Sequence, residues 1–128
     1  MNTMAEGLPE QATEEWPSDW LRATLGMFVL RALEEGPSYG YAIIRGLAHN
    51  GIGEIKGGTL YPLLTRYEKL GLVVTEWRPG EAGPGRKYFA LTEQGGAELE
   101  RMRREWTRFT HVSNNYLGAE LPSKEKNA

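Results

Sequence analysis

The chain has 128 residues, 40% hydrophobic and 25% charged, with a formal net charge of −2 and no cysteine. That describes one domain with a modest core and excludes disulfides, thiolate metal sites and a cysteine nucleophile. No apolar run reaches the eighteen or so residues a membrane-spanning helix needs, and Met1 to Pro17 lacks the basic and apolar regions of a secretory signal, so the cytoplasm is the expected compartment. Charge is unevenly placed. Residues 1–17 hold Glu6, Glu10, Glu14 and Glu15 without a single Lys or Arg, which leaves +2 on the remainder. A weakly positive body is compatible with DNA but does not demand it.

Residues 1–17, acidic and containing Pro9 and Pro17, read as a flexible arm; Trp16 is the exception, an aromatic that docks on something. Ser18 is the expected N-cap of a first helix running to about Glu34 and stopped by Gly36-Pro37. Leu25, Phe28, Val29 and Ala32 form its main stripe, while Trp20, Ala23, Met27 and Leu30 lie off it, so this helix needs two partners. Ser38 is expected to cap a second helix, Tyr39 to Asn50, with Ile43, Ile44 and Leu47 facing inward. After a turn at 51–55, a third helix opens at Lys56-Gly57-Gly58-Thr59 and ends at Gly71. Leu60, Leu63, Leu64, Tyr67 and Leu70 recur at spacings of three and four and mark its buried face. Thr59, Tyr61, Pro62, Thr65, Arg66 and Lys69 mark the opposite one.

From Leu72 the period changes to two, giving a strand to Arg78, a Pro- and Gly-rich loop over 79–85, and a second strand from Arg86 to Leu91. Alternation puts Arg86 and Lys87 on opposite faces. Thr92 and Glu93 open a last helix that reaches Leu117. Its apolar residues Leu99, Met102, Trp106, Phe109, Val112 and Tyr116 come close to a seven-residue pattern, the mark of a helix packed along another helix. Arg101, Arg103, Arg104 and Arg108 are expected on its flanks, paired with Glu98, Glu100 and Glu105. From Gly118 the chain is polar and reads as a frayed tail.

Two short helices joined by a turn, then a hairpin with cations at its root, make a winged helix-turn-helix. The expected fold is therefore mainly α (α+β), with an arm at 1–17, the DNA-binding domain at 18–92, a dimerisation helix at 93–117 and a tail at 118–128. Thr59 and Tyr61 are then base-edge or phosphate ligands, against the plainer reading of a cap and a surface tyrosine. Pro62 offers an apolar surface to the groove or is simply a helix-start proline. Arg66 clamps a phosphate or pairs with a nearby glutamate. Tyr39, at a helix N-terminus, is placed for phosphate contact. His49 and His111 are isolated and read as surface residues, not metal ligands. No nucleophile with a base, no phosphate loop and no metal cluster supports an enzyme. The rival from another class is a winged helix used for protein interaction or small-molecule binding, without an operator.

The motifs Gly36-Pro37-Ser38-Tyr39-Gly40-Tyr41, Gly58-Thr59-Leu60-Tyr61-Pro62-Leu63-Leu64, Gly71-Leu72, Trp77, Gly83-Pro84-x-Arg86-Lys87-Tyr88-Phe89 and Leu91-Thr92-Glu93-x-Gly95, in this order, resemble the PadR transcriptional regulators over about residues 20–117. The resemblance implies a homodimeric repressor on a pseudo-palindromic double-stranded DNA operator. Its contacts would come from Tyr39, Lys56, Gly58, Thr59, Tyr61, Pro62, Thr65 and Arg66, with Arg86 and Lys87 on the wing. It implies no cofactor, but a small aromatic or cationic amphiphilic effector near Trp106, with Trp20, Met27 and Thr110 as further candidates. The dimer seam would hold Leu25, Leu99, Met102, Trp106, Phe109, Val112 and Tyr116. The chain departs from the family at Lys56-Gly57, where many members have Ser-Pro. A cation is gained, and a cap and a stiffening ring are lost.

Overall fold

The computed structural model describes residues 16–80 and 83–119. The arm and tail expected at the two ends therefore fall, for residues 1–15 and 120–128, outside the described residues. Helix α1 spans Ser18–Glu34. Ser18 is its first residue and not its cap. Pro17 holds the N-cap position, and its carbonyl already accepts from the Trp20 and Leu21 amides at 3.0 and 3.2 Å. Trp16 does dock: its indole Nε1 donates to the Gly51 carbonyl at 2.9 Å, fastening the entry of α1 to the turn after the second helix.

Ser38 is not a helix cap either. Ser38–Tyr39 form a short strand, β1, that pairs antiparallel with a later strand through Ser38↔Phe89 and Tyr39↔Tyr88. The open edge of that later strand offers backbone partners that a serine hydroxyl cannot match, and Pro37 removes the donor that would extend the pairing backwards. Helix α2 then runs Gly40–His49 and α3 runs Gly57–Lys69. Strands β2 (Val73–Arg78) and β3 (Arg86–Leu91) form the hairpin, and α4 spans Glu93–Leu117. The sheet order is β1-β3-β2, antiparallel throughout.

The core gathers the inward faces of all four helices and the sheet. Val29 and Leu30 of α1, Ile43 of α2, Leu60 and Leu64 of α3, Val73 and Phe89 of the sheet and Leu99 of α4 are buried. Burying a leucine completely contributes about 1.5–3 kcal/mol. Leu30, off the expected stripe, belongs to this core. Leu70, assigned to the buried face of α3, is instead 56% exposed, because it sits at the C-cap after the last helical turn. Leu25 and Leu99 also need correcting. At 5% and 1% exposure their side chains are enclosed within the protomer and are not on a seam with a second copy.

Thr92 fixes the junction between hairpin and α4. Its hydroxyl accepts from the Gly95 amide at 2.9 Å and donates to the Gly71 carbonyl at 2.7 Å. That is the N-cap expected, with a second bond that ties α4 to the end of α3. Gly95 is needed here, since a Cβ would collide with the Leu72 backbone carbonyl. Glu34 of α1 and Arg103 of α4 meet at 2.6 Å and join the first helix to the last. No described helix is long and apolar enough to cross a membrane.

Candidate nucleic-acid interface

Helix α3 begins without a side-chain cap. Lys56 holds the N-cap position in an extended conformation, and its carbonyl accepts from Thr59 and Leu60. The first-turn amides thus lack a capping side chain, beside an exposed lysine, in the setting where helix N-termini receive anions. Gly58 has open space where a Cβ would project. One turn on, Pro62 has no N–H to give to the Gly58 carbonyl. Gly58, Pro62, Thr65 and Lys69 fall along the middle of the exposed face, with Thr59 on one flank and Tyr61 on the other. Tyr61 is half exposed, and its ring lies across Gly40, at the start of α2. Gly40 is glycine because that ring takes the place of a side chain.

The hairpin joins α3 through Thr75, whose hydroxyl donates to the Glu68 carboxylate at 3.0 Å. The face of the sheet turned towards α3 therefore carries Val73, Thr75 and Trp77 of β2, with Leu91, Phe89 and Lys87 opposite them on β3. Lys87 and Trp77 are exposed at its outer end, with the Lys87 ammonium 5.7 Å from the Phe89 ring centre. Arg86 is on the other face, as alternation requires. Its guanidinium lies 4.3 Å over the ring of Tyr39. Tyr39 meets Tyr88 edge-on at 5.3 Å, and Arg78 lies 4.3 Å over Tyr88. Tyr39, expected at a helix start, is both the last residue of β1 and the N-cap of α2, and its ring faces the wing arginine.

Arg66 lies further along α3, exposed and on the same flank as Thr59. It lies on the flank of α3 turned towards α1 and α4, 5.8 Å over the Tyr67 ring. There it joins Met27, Met102, Trp106 and Phe109 around a cleft of about 380 Å³. The Tyr67 hydroxyl, pushed up from its usual pKa by burial, forms part of the floor beside Gly26. Of the effector candidates, Met27 and Trp106 line this cleft, while Trp20 and Thr110 do not. Trp20 is 65% exposed on α1, and the Thr110 hydroxyl donates back to the Trp106 carbonyl. Among the described residues, no three His, Asp or Glu converge on a metal site.

Trp77, Arg78 and Tyr88 do not stand out from the sequence as site residues. Trp77 is within reach of it, since alternation from Val73 puts it on the α3 side. The Arg78 and Tyr88 stack is not, because it depends on β1, and two residues carry no periodicity. On α4, Arg101 pairs with Glu98 and Arg108 with Glu105, as expected for a solvated flank, whereas Arg103 reaches Glu100 at 3.5 Å but binds Glu34 of α1 more closely, at 2.6 Å.

A helix-turn-helix with an uncapped, cation-flanked third helix and a basic hairpin beside it is a winged-helix DNA-binding protein. The Transcriptional regulator PadR-like family matches residues 29–101. The crystal structure of a PadR family transcriptional regulator from Eggerthella lenta is similar at 36% identity and TM-score 0.72, over 80% of this chain and 89% of that one. A PadR-like transcriptional regulator from Bacillus cereus is similar at 29% identity and TM-score 0.71, over 80% and 99%. An uncharacterised protein of Lysinibacillus sphaericus is 29% identical over 102 residues, 78% of this chain and 94% of that one. The chain belongs to the PadR-like family: it is a transcriptional regulator that binds DNA, and not an enzyme.

Proposed function

We propose that this regulator acts in the cytoplasm as a homodimeric repressor, occupying a pseudo-palindromic operator and answering to a small planar effector. The observation that carries the dimer is the outer half of α4. Phe109, Val112, Tyr116 and Leu117 are 65%, 58%, 92% and 72% exposed, and Trp106 is 42% exposed beside them. An apolar stripe this long, open to water in a single protomer, calls for a covering surface, and a two-fold copy of the same stripe supplies one. Such a dimer would present two copies of α3 and two wings. Lys56, Gly58, Thr59, Tyr61, Pro62 and Thr65 would lie in the major groove, and Lys87 would reach a phosphate. The exposed face of α3 carries few groups able to grip a base edge in bidentate fashion, so much of the affinity would come from phosphates and two-fold spacing.

The cleft beside Trp106 is the best-supported place for an effector. Its walls combine the aromatic and thioether side chains of Met27, Tyr67, Met102, Trp106 and Phe109 with the charged side chains of Arg22, Arg66, Arg101 and Glu105, suited to a flat molecule that also carries a polar group. Mobility shift with the DNA upstream of the chain's own coding sequence tests the operator. A retarded complex at low salt that weakens as salt rises supports it; no complex with any promoter fragment sinks it. A reporter silenced by the chain distinguishes repression from activation. Tryptophan quenching by a planar cationic dye, absent in Trp106→Ala, locates the effector; unchanged quenching in that variant would place it elsewhere.

A further inference from the structure

We propose that Tyr39 is a positioning residue for DNA binding. Its ring holds the Arg86 guanidinium on the outer face of the wing, so that Tyr39 serves binding through the arginine and not through its own hydroxyl. This rests on the operator reading above, and it replaces the direct phosphate contact expected of Tyr39 from its place in the sequence.

Three observations carry it. Arg78 and Arg86 are directly opposed across β2 and β3, a like-charge pairing that repels. Each guanidinium instead lies 4.3 Å over its own tyrosine ring, Arg78 on Tyr88 and Arg86 on Tyr39. The two rings then meet edge-on at 5.3 Å. The cluster is thus a closed row of ring and cation that keeps two like charges apart. Second, Arg78 is also held by Glu76 at 2.9 Å, whereas among the described residues Tyr39 is the group placed against Arg86. A guanidinium stacked by its face keeps its N–H donors at the edge, free for a phosphate, and loses less freedom when it binds one. Third, Tyr39 is also the N-cap residue of α2. The same residue that starts the first helix of the helix-turn-helix therefore sets where the wing cation stands relative to it.

Four variants of the full chain test this: Tyr39→Leu, Tyr39→Phe, Arg86→Ala and the double variant Tyr39→Leu/Arg86→Ala. Binding to the upstream DNA is followed by fluorescence anisotropy across a salt series. Losing the stack should weaken binding about two- to five-fold, the factor that corresponds to an exposed cation–π contact. Tyr39→Phe, which keeps the ring, should restore it. Adding Tyr39→Leu to Arg86→Ala should cost nothing more. A Tyr39→Phe variant as weak as Tyr39→Leu would assign the effect to the hydroxyl and overturn the proposal. So would a double variant weaker than Arg86→Ala by the full Tyr39→Leu factor. A readout without DNA guards against a loosened β1. The Arg86 side-chain protons should show an upfield ring-current shift by NMR in the wild type and Tyr39→Phe, abolished in Tyr39→Leu. Unshifted protons in a wild-type chain that does bind DNA overturn the positioning alone. Failure of the wild type to bind any DNA overturns the operator reading, and the wing's part in it.

Discussion

Gly40 and Gly46 lie on one short helix and look equivalent in the sequence, two weak points that close packing would compensate. They are not equivalent. A Cβ at Gly40 would run into the hydroxyl and ring of Tyr61, whereas one at Gly46 would meet nothing within 4 Å. The same substitution should therefore have opposite signs at the two positions. Gly40→Ala should destabilise by about 1–3 kcal/mol through overpacking, and should also displace Tyr61 at the start of α3. Gly46→Ala should stabilise by up to about 1 kcal/mol, because alanine is the better helix former. Urea midpoints of the two variants check this. A Gly40→Ala chain as stable as the wild type would mean that the Tyr61 ring is not packed there. At this scale the sequence was legible where a rule depends on the residue alone: Thr92 as a cap, or Arg86 and Lys87 on opposite faces. It was silent where a residue is shaped by a distant partner, as Gly40 is by Tyr61 and Tyr39 by Arg86.

Among the elements, α4 shows most clearly what periodicity can and cannot say. The apolar repeat from Leu99 to Tyr116 is continuous in sequence, and it predicts one helix packed along another. The structure divides it. Leu99 is enclosed in the protomer, Met102 is half-buried, and Phe109 to Tyr116 stand open. Spacing reveals a face, but not which stretch of it this chain itself covers. Leu99→Asp would accordingly report on folding, not on assembly. Leu99→Ala should cost about 2–5 kcal/mol in a denaturant titration, whereas Val112→Ala should leave the stability of the protomer nearly unchanged. The tie between α1 and α4 makes a further prediction. The hydrogen bond from Arg103 holds the Glu34 carboxyl below its usual value of 4.5. A carboxyl whose folded pKa is lowered adds stability above the unfolded pKa and loses it as pH falls through the folded one. Glu34→Gln should therefore be slightly less stable than the wild type at pH 7. The gap should close below about pH 4.5, as followed by thermal melts across acid pH. A gap that widened in acid would contradict the bond. Strand β1 was invisible in the sequence for a different reason: two residues are too few to show alternation, and only the edge of β3 makes them a strand.

At the scale of the whole molecule, the two surfaces proposed for DNA and for a second copy lie on different elements. The start of α3 and the wing share one surface, linked by Thr75 and Glu68. The uncovered stripe belongs to the outer half of α4. A dimer built on that stripe would leave both DNA-facing surfaces free, and the cleft beside Trp106 would then lie next to the seam. Phe109→Asp should give a monomer by light scattering while keeping the helical circular dichroism of the wild type, and should abolish operator binding. A dimeric Phe109→Asp chain would move the interface elsewhere. The winged-helix order could be read from motifs and changes of period, because each element carries its own signal. The division of the apolar surface between core and interface could not, since it depends on the three-dimensional packing of α1 against α4. The most direct test combines binding and electrostatics: the affinity of the wild type and of Lys87→Ala for the upstream DNA, measured from low to physiological salt. The wild type should form a salt-sensitive complex. Lys87→Ala should weaken binding to all sequences alike and flatten the salt slope by roughly one unit for each phosphate it no longer neutralises. An unchanged slope in Lys87→Ala, or no complex with the wild type even at low salt, would contradict a wing that grips the DNA backbone.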